Sequence, residues 1–189
     1  MNYLRGFAPW LLFSLLSATD WRWAALLALL LVAVLFVLDR RAGKRIDAQV
    51  LEIGTLAYFA GITALAVAVP DSPVRTYVMA LSSAWLALIA LTSLLIRRPF
   101  TLGLAGRRVP PHVARTARFR QVNMVITGIW ATGFVLSAAT SSACAAIDAG
   151  PAAQALCHGL SIGLAGLATH LYSARSKARL ATASQPERV

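Results

Sequence analysis

Long apolar runs alternate with short basic stretches along this chain. A helix needs about 20 apolar residues to cross roughly 30 Å of hydrocarbon. Five runs reach or approach that length: 21–38, 46–69, 76–96, 121–139 and 152–172. A sixth, 7–18, is shorter, although counted from Tyr3 it reaches most of the way across. Backbone N–H and C=O groups find no water in hydrocarbon, so these runs are predicted as helices and not strands. The predicted fold is all-α: a polytopic membrane protein of three helical hairpins and six transmembrane segments, the first short. If the first run lies in the interface, the segments number five. Residues 1–172 then form a single bundle, and 173–189 a disordered cytoplasmic tail.

The polar positions orient this bundle. Of the 18 Lys and Arg residues, 15 fall within 39–45, 97–120 and the stretch from 173 onward. Cytoplasmic loops retain Lys and Arg, so these three stretches are expected on the inner side and the C-terminal tail with them. The other links carry little positive charge, and their turns contain Thr19-Asp20, Pro70-Asp71-Ser72-Pro73 and the small residues of 140–151. Six segments place Arg5 inside as well. Trp10, Trp21 and Trp23 are expected near one end of the first hairpin, as an aromatic belt.

Composition narrows the class further. The chain of 189 residues is 58% hydrophobic and 13% charged, against about 25% charged for soluble domains. Its net charge of +11 invites a nucleic-acid reading. The basic residues flank apolar runs instead of lining one polar face, so the partner is a lipid bilayer and no nucleic acid is expected. The start, with Arg5 before an apolar run, resembles a signal peptide only loosely, because Leu16-Ser17-Ala18 makes a poor cleavage site.

Few residues point to chemistry. Asp47 and Glu52 open the third run, and Glu52 lies about 9 Å along a helix from Ile46, near the inner interface. Pairing with Arg45 or neighbouring arginines at the helix entrance explains both acids; an ion relay is the alternative, with Gly54 and Gly61 as hinges. His158 and His170 are about 18 Å apart along one helix and cannot share a metal, so they are expected as packed or interfacial residues. Cys144 and Cys157 would close a disulfide in an oxidising compartment or remain two thiols. Gly159, Gly163 and Gly166 form a small-residue stripe suited to helix packing, within the bundle or in a homodimer. The stretch 97–120, rich in Arg and broken by Pro99, Pro110 and Pro111, suits the membrane surface, with Phe100, Leu102, Leu104 and Val109 inserted and its arginines on anionic lipid headgroups. No Walker loop, dinucleotide fingerprint, GxSxG or HExxH occurs, so neither an enzyme nor a cofactor is expected.

The order of these features is similar to one known plan. The opening RGFAPWLLFSLL, the Arg97-Arg98-Pro99-Phe100 corner, Gly106 with Arg107 and Arg108, and then Arg120, Asn123, Thr127 and Trp130 resemble the bacterial intracellular septation protein A family over most of residues 1–140. The PFTLGLAG wording, the extra arginines and the Asp47/Glu52 pair depart from that family. The resemblance implies an inner-membrane protein of the cell envelope, linked to septation and acting through envelope or division proteins. It implies no catalytic chemistry. Arg97, Arg98, Pro99, Arg107, Arg108 and Asn123 are the expected partner- or lipid-binding positions. The expected function is thus a scaffold or assembly factor, with a small transporter or channel as the alternative.

Overall fold

Apolar runs without a water partner for their backbone close their hydrogen bonds internally, and each becomes a helix. The computed structural model describes residues 2–17, 19–43, 49–106 and 109–183. In chain order the helices are α1 Asn2–Leu16, α2 Trp21–Arg41, α3 Val50–Ala68, α4 Val78–Leu95, α5 Phe100–Ala105, α6 Pro111–Ala114, α7 Ala117–Ala146 and α8 Gly150–Ala183. A 3-10 turn, Pro73–Tyr77, leads into α4. Among the described residues five helices are long and apolar enough to cross a membrane, and α1 is a shorter apolar helix. The chain is an all-α, multi-pass membrane protein.

Local chemistry sets the helix ends. Asp20 caps α2, accepting the Arg22 backbone N–H at 2.8 Å. Its bonds to Arg22 hold the Asp20 carboxyl below the usual carboxylate range. Thr116 caps α7 by accepting the Phe119 N–H at 3.2 Å. The α4 terminus closes differently. Arg97 has a left-handed φ of 55°, its N–H donates to Leu94 C=O, and the Arg98 N–H reaches back to Ser93 C=O, both at 2.9 Å. This double closure favours glycine at the left-handed position, yet an arginine occupies it. Arg97→Gly is expected to raise stability by roughly 0.5 kcal/mol, as backbone strain is relieved. Unfolding in mixed micelles checks this, and a loss would contradict it.

The helices pack as two triplets. In the first, α1 runs parallel to α3: Trp10 bonds Thr55 and Phe13 meets Phe59 edge-on. Helix α2 returns between the two ends, with Asp39 paired to Arg5 at 3.5 Å and the Trp21 indole donating to Pro70 C=O at 3.1 Å. Helices α4, α7 and α8 make the second triplet, which is the more tightly joined. Helices α3 and α4, although consecutive, touch sparingly across the seam between triplets. There Tyr58 meets Ser82 at 2.8 Å, and Trp85 donates to Gly54 C=O at 2.8 Å. The alternating helix directions bring Arg5, Arg40, Arg41, Arg97, Arg98, Arg120 and Arg175 to one end of the bundle, the basic end.

Several expectations need correction. The tail is not disordered over 173–183, where α8 continues; this stretch holds Ala, Arg, Lys and Leu, good helix formers, with no Pro or Gly. Residues 184–189 lie outside the described residues. The third turn of low charge shrinks from 140–151 to 147–149, because α7 extends to Ala146. Of the expected aromatic belt only Trp23 is exposed, at 63%, whereas Trp10 and Trp21 are core residues. Phe100 and Leu104 do not insert into lipid: α5 turns them inward, and both are buried.

Candidate functional site

A crevice of about 610 Å³ opens along the seam, between α1 on one side and α4, α5, α7 and α8 on the other. Its walls are aromatic: Phe7, Trp10, Phe100, Trp130 and Phe134. Phe7 stacks on Trp130 with centroids 5.8 Å apart, and Trp130 leans on Phe134 at 5.6 Å. Polar groups sit towards its two ends. Ser14, Ser82 and His158 lie at one, and Thr169, His170 and Ser173 at the other. Among the described residues no Asp, Glu, Lys or Arg lines it. A charged group would pay a large desolvation cost there, so the crevice suits a neutral occupant.

The lining is braced by hydroxyls. Ser82 donates to Val78 C=O at 2.8 Å and so accepts from Tyr58. Thr101 donates to Asn123 C=O at 3.0 Å and accepts from Thr127 at 2.8 Å. Ser93 accepts the Phe100 N–H at 3.2 Å, which ties α5 to the end of α4. Each of these satisfies a polar atom that would be costly to leave unpaired in a buried setting.

His158 belongs to a three-membered cluster. Its Nδ1 lies 2.8 Å from Ser137 Oγ and 3.4 Å from Ser83 Oγ, and the two hydroxyls are 2.9 Å apart. Two O–H donors then need two acceptors. If Ser83 donates to Ser137 and Ser137 to Nδ1, both are satisfied. If Nδ1 carried the proton, one hydroxyl would have nowhere to donate. The ring is therefore assigned as the neutral tautomer with its proton on Nε2.

The structure distributes the sequence-derived candidates unevenly. Cys144 and Cys157 come together, their sulfurs 3.5 Å apart. A mild oxidant is expected to remove both thiols from maleimide labelling together, without forming dimers; disulfide-linked dimers would contradict the geometry. Arg97 and Arg98 are exposed, but Pro99 beside them is buried. Asn123, expected at a binding surface, is 2% exposed; its amide donates to Phe119 C=O at 2.8 Å within α7. Glu52 borders a 10 Å³ gap shared with Arg5 and Asp39, apart from the crevice. Asp47, Arg107 and Arg108 lie outside the described residues.

The glycine stripe does not pack within the bundle: a Cβ at Gly159, Gly163 or Gly166 would meet nothing within 4 Å. The close approach of α7 and α8 occurs instead at Gly133, where a Cβ would lie 2.7 Å from Ala165 Cβ. Gly54, a proposed hinge, is wedged against Ile89, 2.5 Å from an added Cβ. Sequence reasoning missed the crevice and the role of His158. The available signal was an ionisable side chain inside an apolar run, which in a membrane is a functional candidate by default. Among the described residues no group of three His, Cys, Asp or Glu is placed to hold a metal ion. No protein-family model, curated protein or solved structure matches the chain.

Proposed function

We propose that the chain is a non-enzymatic membrane protein that takes a neutral amphipathic molecule from the bilayer into the seam crevice, as a carrier or receptor. The observation that carries this reading is an uncharged, aromatic-walled space of about 610 Å³ between two helix triplets. Pockets of this size accommodate drug-sized ligands, and apolar walls with a few polar groups are their usual makeup. The reading keeps the small-solute transporter alternative and moves it away from Glu52 and ions. Gly166 supplies the test, because it lines the crevice and has open space around it. Gly166→Phe should fill the crevice without disturbing the fold. Native mass spectrometry from lipid nanodiscs is expected to show a bound amphiphile on the wild type and none on the variant. The same adducts on both would overturn the reading.

A second reading is favoured by the basic end. Arg97 and Arg98 project from a rigid corner, and Arg97 holds a backbone conformation better suited to glycine. Under this reading the protein sits in a bacterial inner membrane with its basic end cytoplasmic, and docks envelope or division proteins there as a scaffold. Anionic lipid headgroups would share that surface. Crosslinking in native membranes tests it: Arg97→Glu with Arg98→Glu should lose specific partners that Arg97→Gly retains in part. Unchanged partners in the doubly reversed form would count against docking.

A further inference from the structure

We infer that His158 and Ser14 form the head-recognition end of the crevice, and that its occupant is a quinone-class molecule: a planar, neutral ring bearing carbonyl acceptors on an apolar tail. The inference rests on the crevice reading above and adds the ligand's chemistry. His158 Nδ1 is occupied by the Ser83–Ser137 pair, so Nε2 presents an N–H. Among the described residues nothing in the protein accepts it, and His158 lines the crevice. Ser14 lines it from α1, opposite α8, and its hydroxyl likewise has no hydrogen bond among the described residues. The polar groups at this end thus offer an N–H donor from α8 and a hydroxyl, donor or acceptor, from α1. A ligand head that meets His158 must carry an acceptor, and a ring carbonyl also accepts from Ser14.

Charge and shape restrict the class further. The absence of Asp, Glu, Lys and Arg from the lining among the described residues disfavours a phosphate or ammonium head. Trp10, Trp130 and Phe134 continue from the donor end as an aromatic lining, and aromatic edges meet a planar π-ring more favourably than a branched glycerol core. Helix α8 contributes lining residues from His158 to Ser173, about 22 Å along its axis. That length leaves room for a tail beyond the ring. Ser83 and Ser137 act as positioning residues, because they touch only the ring's far nitrogen.

The test uses the full chain in nanodiscs, with decylubiquinone as probe and dioleoylglycerol as comparison. Binding is read by quenching of tryptophan fluorescence for the quinone and by native mass spectrometry for both. Saturable quinone binding is expected, about tenfold weaker in His158→Phe, since one hydrogen bond is lost, and abolished in Gly166→Phe. If His158→Phe fails to fold, Ser14→Ala tests the same contact and should weaken binding severalfold. Quinone binding that depends on Gly166 but on neither His158 nor Ser14 would overturn the head assignment and leave the crevice reading intact. Dioleoylglycerol bound in a Gly166-dependent way, with no quinone binding, would overturn the ligand class alone. If neither molecule's binding depends on Gly166, the inference and the crevice reading fall together.

Discussion

Gly133→Leu should cost the protein about 3 kcal/mol or more, and Gly159→Leu almost nothing. Overpacking a filled core typically costs about 1–3 kcal/mol, and more where the backbone must move. At position 133 a bare Cβ would already lie 2.7 Å from Ala165 Cβ and 3.4 Å from Ser161 C=O. Both neighbours belong to helix α8, whose backbone cannot swing aside as a long side chain can. A leucine would force α7 and α8 apart along one of the two extensive pairings of the second triplet. The Ser137–His158 contact and the Cys144–Cys157 contact lie on the same helix pair and should loosen with it. At position 159 the added side chain enters open space, and surface changes usually stay within about 0.5 kcal/mol. Unfolding in mixed micelles of graded denaturing strength measures both. Equal losses at the two positions would mean that α7 and α8 meet on a different face.

Trp10→Ala should be nearly as damaging, by about 3 kcal/mol, the lower end for removal of a large aromatic from a core. The ring is 6% exposed and sits 4.9 Å from both Tyr58 and Phe59. Lipid tails are as apolar as the protein interior, so transfer from water contributes little to this loss. What remains is the cavity and the forfeited dispersion contacts. Thr55 also loses the indole donor, although its own hydroxyl still donates to Leu51 C=O at 2.7 Å. Trp23→Ala is the control, since that ring faces outward. If Trp10→Ala unfolds no more readily than Trp23→Ala, α1 is a peripheral helix and not part of the packed core.

These two variants also mark the boundary of what could be read from the chain. The apolar runs were legible because hydrocarbon imposes one requirement on every backbone group, and length alone expresses it. The face a helix turns inward was not. GLSIGLAG has the spacing of a packing stripe, but that spacing says nothing about which side of α8 meets α7. Gly133 opens a second small-residue stripe with Ser137, Ser141 and Ala145, all buried, and spacing alone does not choose between the two stripes. Phe100 and Leu104 looked like surface anchors among arginines, yet with Thr101 they make the one inward face of a short helix. His158 stood out only as an ionisable side chain in an apolar run; its partners, Ser83 and Ser137, lie 75 and 21 residues away and could not be read. Only the folded second triplet brings them together.

The sparse contact between α3 and α4 has a consequence for biogenesis. Helix α4 leaves the ribosome well ahead of its principal partner, since α4 ends at Leu95 and α7 begins at Ala117. Until then Ser83 has neither Ser137 nor His158 to bond, and one flank of α4 is bare. Only the finished first triplet is present to receive it, through Tyr58 on Ser82 and Trp85 on the Gly54 carbonyl. Those two hydrogen bonds are a berth for a half-made protein. Their loss would register in the yield of inserted chains more than in the endurance of the completed one.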